Sequence, residues 1–146
     1  MAEKVAQTMA NHVRLHPPFH FLALPVSAVA LILAIVNVVM HYDALAAWTI
    51  LVMALVLPVT TLLTRTSALK AQDRVIRLEE RLRLASILND PLRSRIGELT
   101  EAQLIAIRFC PDAELAGVVD KSLKNNLSGP DIKKSIVNWR ADNFRV

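Results

Sequence analysis

From Phe21 to Met40 no side chain carries a formal charge, and from Ala44 to Thr64 again none does; only His41, Tyr42 and Asp43 interrupt the two apolar runs. As a helix each run covers about 30 Å, which matches the hydrocarbon layer of a bilayer. Backbone groups in hydrocarbon must find partners within their own segment, so helices are the economical conformation. The pattern predicts a transmembrane helical hairpin over 21–64, with helices at 21–40 and 44–64 and a turn at 41–43. A buried hairpin in a soluble protein would need a protein shell on every side. The rest of the chain is too short and too polar to supply one.

Several features refine the hairpin. Tyr42 and Trp48 fall near the turn, where an apolar ring with a polar handle suits the interface. Pro25 and Pro58 lie toward one membrane face, because the chain reverses between them. Pro58 is expected to release a carbonyl around Ala54, with the Thr60 or Thr61 hydroxyl available to nearby backbone groups. Ala23, Ser27, Ala30 and Ala34 recur at helical spacing and, with Asn37, predict a packing face against the other helix or a second subunit. Neither run contains Asp, Glu, Lys or Arg, so a single copy carries no evident ion path.

Beyond Arg65 nothing breaks the helical pattern before Asn89–Asp90–Pro91. Ala68, Ala71, Val75, Leu78, Leu82 and Ala85 follow a three–four spacing, the seam of a heptad repeat. This predicts an amphipathic stalk helix over 65–89, with Leu69, Ile76 and Leu84 widening its apolar side. Asp73–Arg77 and Glu79–Arg83 are favourable one-turn pairs, and Arg77–Arg81 is unfavourable. The seam is short and rich in alanine, so it suits partner helices that a membrane already holds close. A basic amphipathic helix lying on acidic lipid is the rival reading.

Residues 90–146 read as a small cytoplasmic helical domain. Thr100 with Gln103 forms a capping box ahead of Leu104, Ile105 and Ile107. A second helix starts at Pro111–Asp112–Ala113–Glu114, carries Leu115, Val118, Val119 and Leu123 inward, and leaves at Asn125–Asn126. Ser128 caps a third, with Pro130 in its first turn, where the missing donor costs nothing. Ile132, Ile136, Val137 and Trp139 supply its apolar face. Such short helices are individually marginal and must pack on one another or on the stalk. Large aromatics persist to the end of the chain, so Trp139 and Phe144 are expected to dock the tail.

Charge adds an orientation. The chain has 17 basic and 13 acidic residues, a formal +4. Lys4 and Arg14 precede the first run, and Arg65, Lys70, Arg74 and Arg77 follow the second, whereas the turn offers only Asp43 and a histidine. The positive-inside rule therefore places both termini in the cytoplasm. Residues 1–20 are a cytoplasmic or interfacial lead-in. The first apolar run begins late and at full length, so it reads as an anchor and not as a removed signal.

Candidate chemistry is sparse. His12, His16 and His20 would share a helical stripe, but Pro17–Pro18 break it and no further ligand completes a metal set. Cys110 is the single cysteine, lies between Phe109 and Pro111, and reads as structural. Lys121, Lys124, Lys133 and Lys134 form a basic edge that Asp120 and Asp131 blunt, so nucleic acid is disfavoured. No phosphate loop, serine–histidine pair or dinucleotide turn is present.

Some stretches carry a resemblance. They are Asn11–His12 with Phe19–His20–Phe21, the run from Gln72 to Arg83, Leu99–Thr100–Glu101 with Gln103–Leu104, Ile132–Lys133–Lys134, Asn138–Trp139–Arg140, and the closing Phe144–Arg145–Val146. Together they resemble an uncharacterised bacterial family of small membrane proteins carrying domain of unknown function 6526. The resemblance implies a multi-pass protein of the bacterial inner membrane and brings no catalytic residue.

The reading is thus an all-α membrane protein without cofactor or metal: a non-enzymatic, homo-oligomeric scaffold in membrane lipid whose cytoplasmic helices bind a protein partner. The alternatives are a pore-like homo-oligomer lined by Ser27, Thr49, Thr60 and Thr61, and a tether for acidic lipid or nucleic acid.

Overall fold

The computed structural model describes residues 7–9 and 15–142 and is all-helical, with no strand among them. His12 and Phe144, like Lys4 and Arg14, lie outside the described residues. The chain divides into two compact units between Lys70 and Ala71.

The first unit contains two helices long and apolar enough to cross a membrane, Pro18–Met40 and the early part of Leu45–Ile87. Pro17 and Pro18 open the first, where a proline forgoes no intrahelical bond. A π-helical stretch, Pro18–Ala23, runs directly into α1, Leu24–Met40. It therefore begins three residues ahead of the charge-free run. Near His41 the helix ends on a bond from its N–H to the Asn37 carbonyl at 2.9 Å. The Trp48 indole N–H then donates to the Tyr42 carbonyl at 2.9 Å and clasps the link to α2, Leu45–Ile87.

Pro58 lies inside α2 without ending it. The Thr60 hydroxyl donates to the Val56 and Leu57 carbonyls at 2.9 and 3.0 Å, the same back-bonding that Thr49 and Thr64 make, and not to the Ala54 carbonyl that Pro58 releases. Buried positions in this unit are small: Ser27 and Ala34 on α1, Ala47 and Ala54 on α2. Each pair is one heptad apart. Phe19 and Arg65 meet, with the guanidinium 5.8 Å from the ring centre.

The second unit takes the last turns of α2 and wraps short helices on one side of them. A 3₁₀ helix, Arg93–Glu98, precedes α3, Glu101–Ile107; α4 is Asp112–Asn125 and α5 is Gly129–Ser135. Thr100 caps α3 as its sequence predicts: its hydroxyl accepts from the Gln103 N–H at 3.3 Å, and Gln103 Oε1 accepts from the Thr100 N–H at 2.9 Å. The same buried Gln103 donates to the Leu127 carbonyl at 3.0 Å, tying the start of α3 to the α4–α5 link. Asn126 ends α4 in the left-handed region at φ 45°, a conformation that asparagine tolerates better than most residues.

The core of this unit joins Leu84 and Leu88 to Leu99, Leu104, Ile107, Phe109, Leu115, Val119 and Ile132. One expectation fails locally. Val137 is exposed, because α5 ends at Ser135 and Ile136 is already extended (φ −77°, ψ 122°). Ile136 keeps its place in the core, and the next side chain points away.

Candidate functional site: the polar half of the long helix

Residues 71–87 of α2 carry two apolar stripes on opposite sides. Ile76, Glu80 and Leu84 recur every four residues and face the short helices; Leu84 is fully buried. At about 100° per residue, Val75, Leu78 and Leu82 lie roughly half a turn away, and they are 54%, 61% and 65% exposed. Ile76 and Leu84 therefore belong to a second face and do not widen the seam. Among the other seam residues, Ala71 is exposed, and Ala68 and Ala85 are half-buried. In the first unit Ser27 and Ala34 are buried, Ala30 and Asn37 half-buried and Ala23 exposed.

The inward stripe carries a carboxylate at its centre. Glu80 is only 5% exposed, and its oxygens meet two guanidiniums, Arg83 Nη1 at 3.0 Å and Arg140 Nη1 at 3.5 Å. Burial pushes the Glu80 carboxyl above its ordinary range, and the two arginines oppose that rise. Arg83 also donates through Nε to Asp112 Oδ1 at 2.9 Å and through Nη2 to the Cys110 carbonyl at 2.7 Å. The Arg83 hydrogen bond holds Asp112 below the usual carboxylate range. Arg83 thus bridges α2 to the start of α4. It takes Glu80 and Asp112 as partners in place of the one-turn neighbour Glu79, and Arg77 pairs with Glu101.

The segment after α5 closes over this region. Trp139 packs on Phe109 with ring centres 4.8 Å apart, and the Arg140 N–H donates to the Phe109 carbonyl at 2.8 Å. Glu114 accepts from the backbone N–H groups of Val137 and Asn138, both at 3.1 Å, and these bonds lower its pKa. Arg108 Nε lies 3.1 Å from Asp142 Oδ2. Gln7 brackets the Asp142 backbone, accepting from its N–H at 2.8 Å and donating to its carbonyl at 3.3 Å.

Glu80, Arg83, Arg108, Asp112, Arg140 and Asp142 border a cleft of about 1030 Å³. Its arginines, Arg83, Arg108 and Arg140, are each matched by a carboxylate. The arrangement fastens the tail to α2 and leaves no guanidinium uncommitted for an anion. Cys110 is fully buried, and burial pushes its thiol up to about 12, far from a nucleophile's range. Among the described residues no group of His, Cys, Asp and Glu is placed to hold a metal.

The profile described as "Family of unknown function (DUF6526)" matches residues 1–146. The chain belongs to that family. No curated protein and no solved structure matches it. In this DUF6526 chain, the distinctive run from Gln72 to Arg83 is the segment that presents both stripes of α2. Sequence reasoning missed Glu80, Asp112, Glu114 and Arg140 as a linked set. The available signal was a lone glutamate one turn from both Ile76 and Leu84.

Proposed function

We propose that this DUF6526 chain is a non-enzymatic membrane scaffold. A hairpin of α1 and the first part of α2 anchors it in a bacterial inner membrane with both termini cytoplasmic. Copies associate along the polar half of α2, and the helical unit that follows binds a cytoplasmic protein partner.

The observation that carries this reading is the doubly apolar helix: one stripe is covered by the chain's own core, and the other, Val75–Leu78–Leu82, is left bare. Exposure of Leu33, Val39, Leu45 and Met53 in the two long helices favours lipid as their surroundings, since a soluble core helix would have them covered. The small buried positions Ser27, Ala34, Ala47 and Ala54 suit close antiparallel packing of a hairpin. A pore gains less support. The hydroxyls of Ser27, Thr49 and Thr60 already donate to carbonyls of their own helices, at 2.8 to 3.0 Å.

The test is the mass of the full chain ejected from native-lipid nanodiscs, with co-purifying proteins identified from intact membranes. Assemblies of more than one copy are expected. A chain that stays single at every loading, or that a carbonate wash removes from the membrane, overturns the proposal.

A further inference from the structure

We infer that residues 71–85 of α2 dock against the same residues of a second copy, parallel and in register, as a short two-stranded coiled coil. The inference rests on the self-association proposed above and adds its geometry.

Three observations converge on a second copy as the occupant. The bare stripe has heptad spacing, with Val75 and Leu82 at one seam position and Ala71, Leu78 and Ala85 at the other. Val75 followed by Leu78 is the β-branched and leucine combination that favours two parallel strands, whereas Leu82 and the alanines at 71 and 85 carry no such preference. The stripe also lies opposite the face that the short helices cover, so a second helix can reach it without displacing them.

The third observation is charge. Arg74 and Arg81 line one flank of the stripe, and Gln72, Glu79 and Ser86 line the other; all but Gln72 are exposed. In a parallel in-register pair, a residue on the first flank meets the partner's residue five positions later on the second. That sets Arg74 against the partner copy's Glu79, twice by symmetry. An antiparallel pair would instead set the arginine flank against itself. Neither Arg74 nor Glu79 makes an ion pair with another described residue of its own chain. Copies inserted with one topology also present these segments in the same direction.

The experiment uses the full chain in proteoliposomes. Ala71→Cys and Ala85→Cys are oxidised singly and as a mixture of the two variants; native Cys110 is buried and stays silent. The parallel register gives 71–71 and 85–85 disulfides and no mixed 71–85 product, because the two positions are about 21 Å apart along the helix. Arg74→Glu and Glu79→Arg, each added to Ala71→Cys, should each lower the cross-linked fraction about fivefold. The double reversal should return it to within about twofold of the parent.

A 71–85 product overturns the register, as does a double reversal no better than either single one. Protection of Val75–Leu82 that follows the acidic lipid content and rises in Glu79→Arg assigns the stripe to lipid and equally overturns it. If nanodisc masses still show several copies when these results fail, the register falls and the scaffold stands. A chain single at every loading removes both.

Discussion

Leu84 and Leu82 are two residues apart on one helix, and the structure assigns them opposite fates. Leu84 is fully buried among Leu88, Leu99, Phe109 and their neighbours, whereas Leu82 is 65% exposed. Leu84→Ala removes the transfer energy of the deleted carbons and leaves a cavity, together about 3 kcal/mol. A unit of about 90 residues has a stability of only about 4–13 kcal/mol, so this single change removes a large share of it. Leu82→Ala deletes the same atoms from an exposed site and should change unfolding by no more than about 0.5 kcal/mol. The assay is urea unfolding of the full chain at one copy per nanodisc, which keeps self-association out of the comparison. A Trp48→Phe background leaves Trp139 as the only indole, and its contact with Phe109 reports on this unit. With a slope near 1 kcal/mol per molar urea, Leu84→Ala should lower the midpoint by about 3 M and Leu82→Ala by about 0.5 M at most. Equal shifts, or a larger one for Leu82→Ala, would refute the assignment of faces.

Other perturbations probe the fastening and the membrane dependence. The Glu80 carboxyl is raised in the folded chain, so its contribution to stability is complete below the ordinary carboxylate range and declines as pH rises through the raised value. Glu80→Gln should therefore gain stability relative to the parent as pH rises above the ordinary carboxylate range, as read by the same unfolding curve; a relative loss would mean that attraction to Arg83 and Arg140 outweighs burial. Thr100→Ala removes the hydroxyl half of the capping box and should cost about 1 kcal/mol, seen as faster amide exchange at the start of α3. Diluting the chain with lipid at fixed bulk concentration should reduce the 71–71 cross-link in step with surface density; a yield indifferent to lipid content speaks against assembly within the membrane.

What was legible in the sequence was mostly local. Thr100 with Gln103, Ser128 ahead of Asp131, and Asn126 at the end of α4 announce themselves because a cap or a left-handed exit depends on a few adjacent residues. The charge-free runs announce themselves by length. The core side of α2 did not, since Ile76–Glu80–Leu84 contains a charge that periodicity scores as solvent-facing. Only Arg140, sixty residues later, and an Arg83 turned toward Asp112 make that glutamate acceptable inside. The one-turn pair Glu79–Arg83 does not form, because Arg83 pairs with Glu80 on its own helix and with Asp112, which the fold brings in.

In the proposed scaffold the bare stripe would make anchoring and association one device. Covering the exposed parts of Val75, Leu78 and Leu82 would yield about 1 kcal/mol for each side chain, or about 6 kcal/mol for the two copies of a pair. The lost translational and rotational freedom of two proteins meeting in solution costs about 4–15 kcal/mol. The balance is near zero or unfavourable, so a seam this short would not hold free chains together. Confinement to one bilayer removes much of that cost by raising the effective concentration and aligning the helices in advance. The alanines at 71 and 85 then make sense. In the proposed pairing they would keep the contact weak enough to dissolve when surface density falls, and the arginine–glutamate flank would supply orientation more than strength.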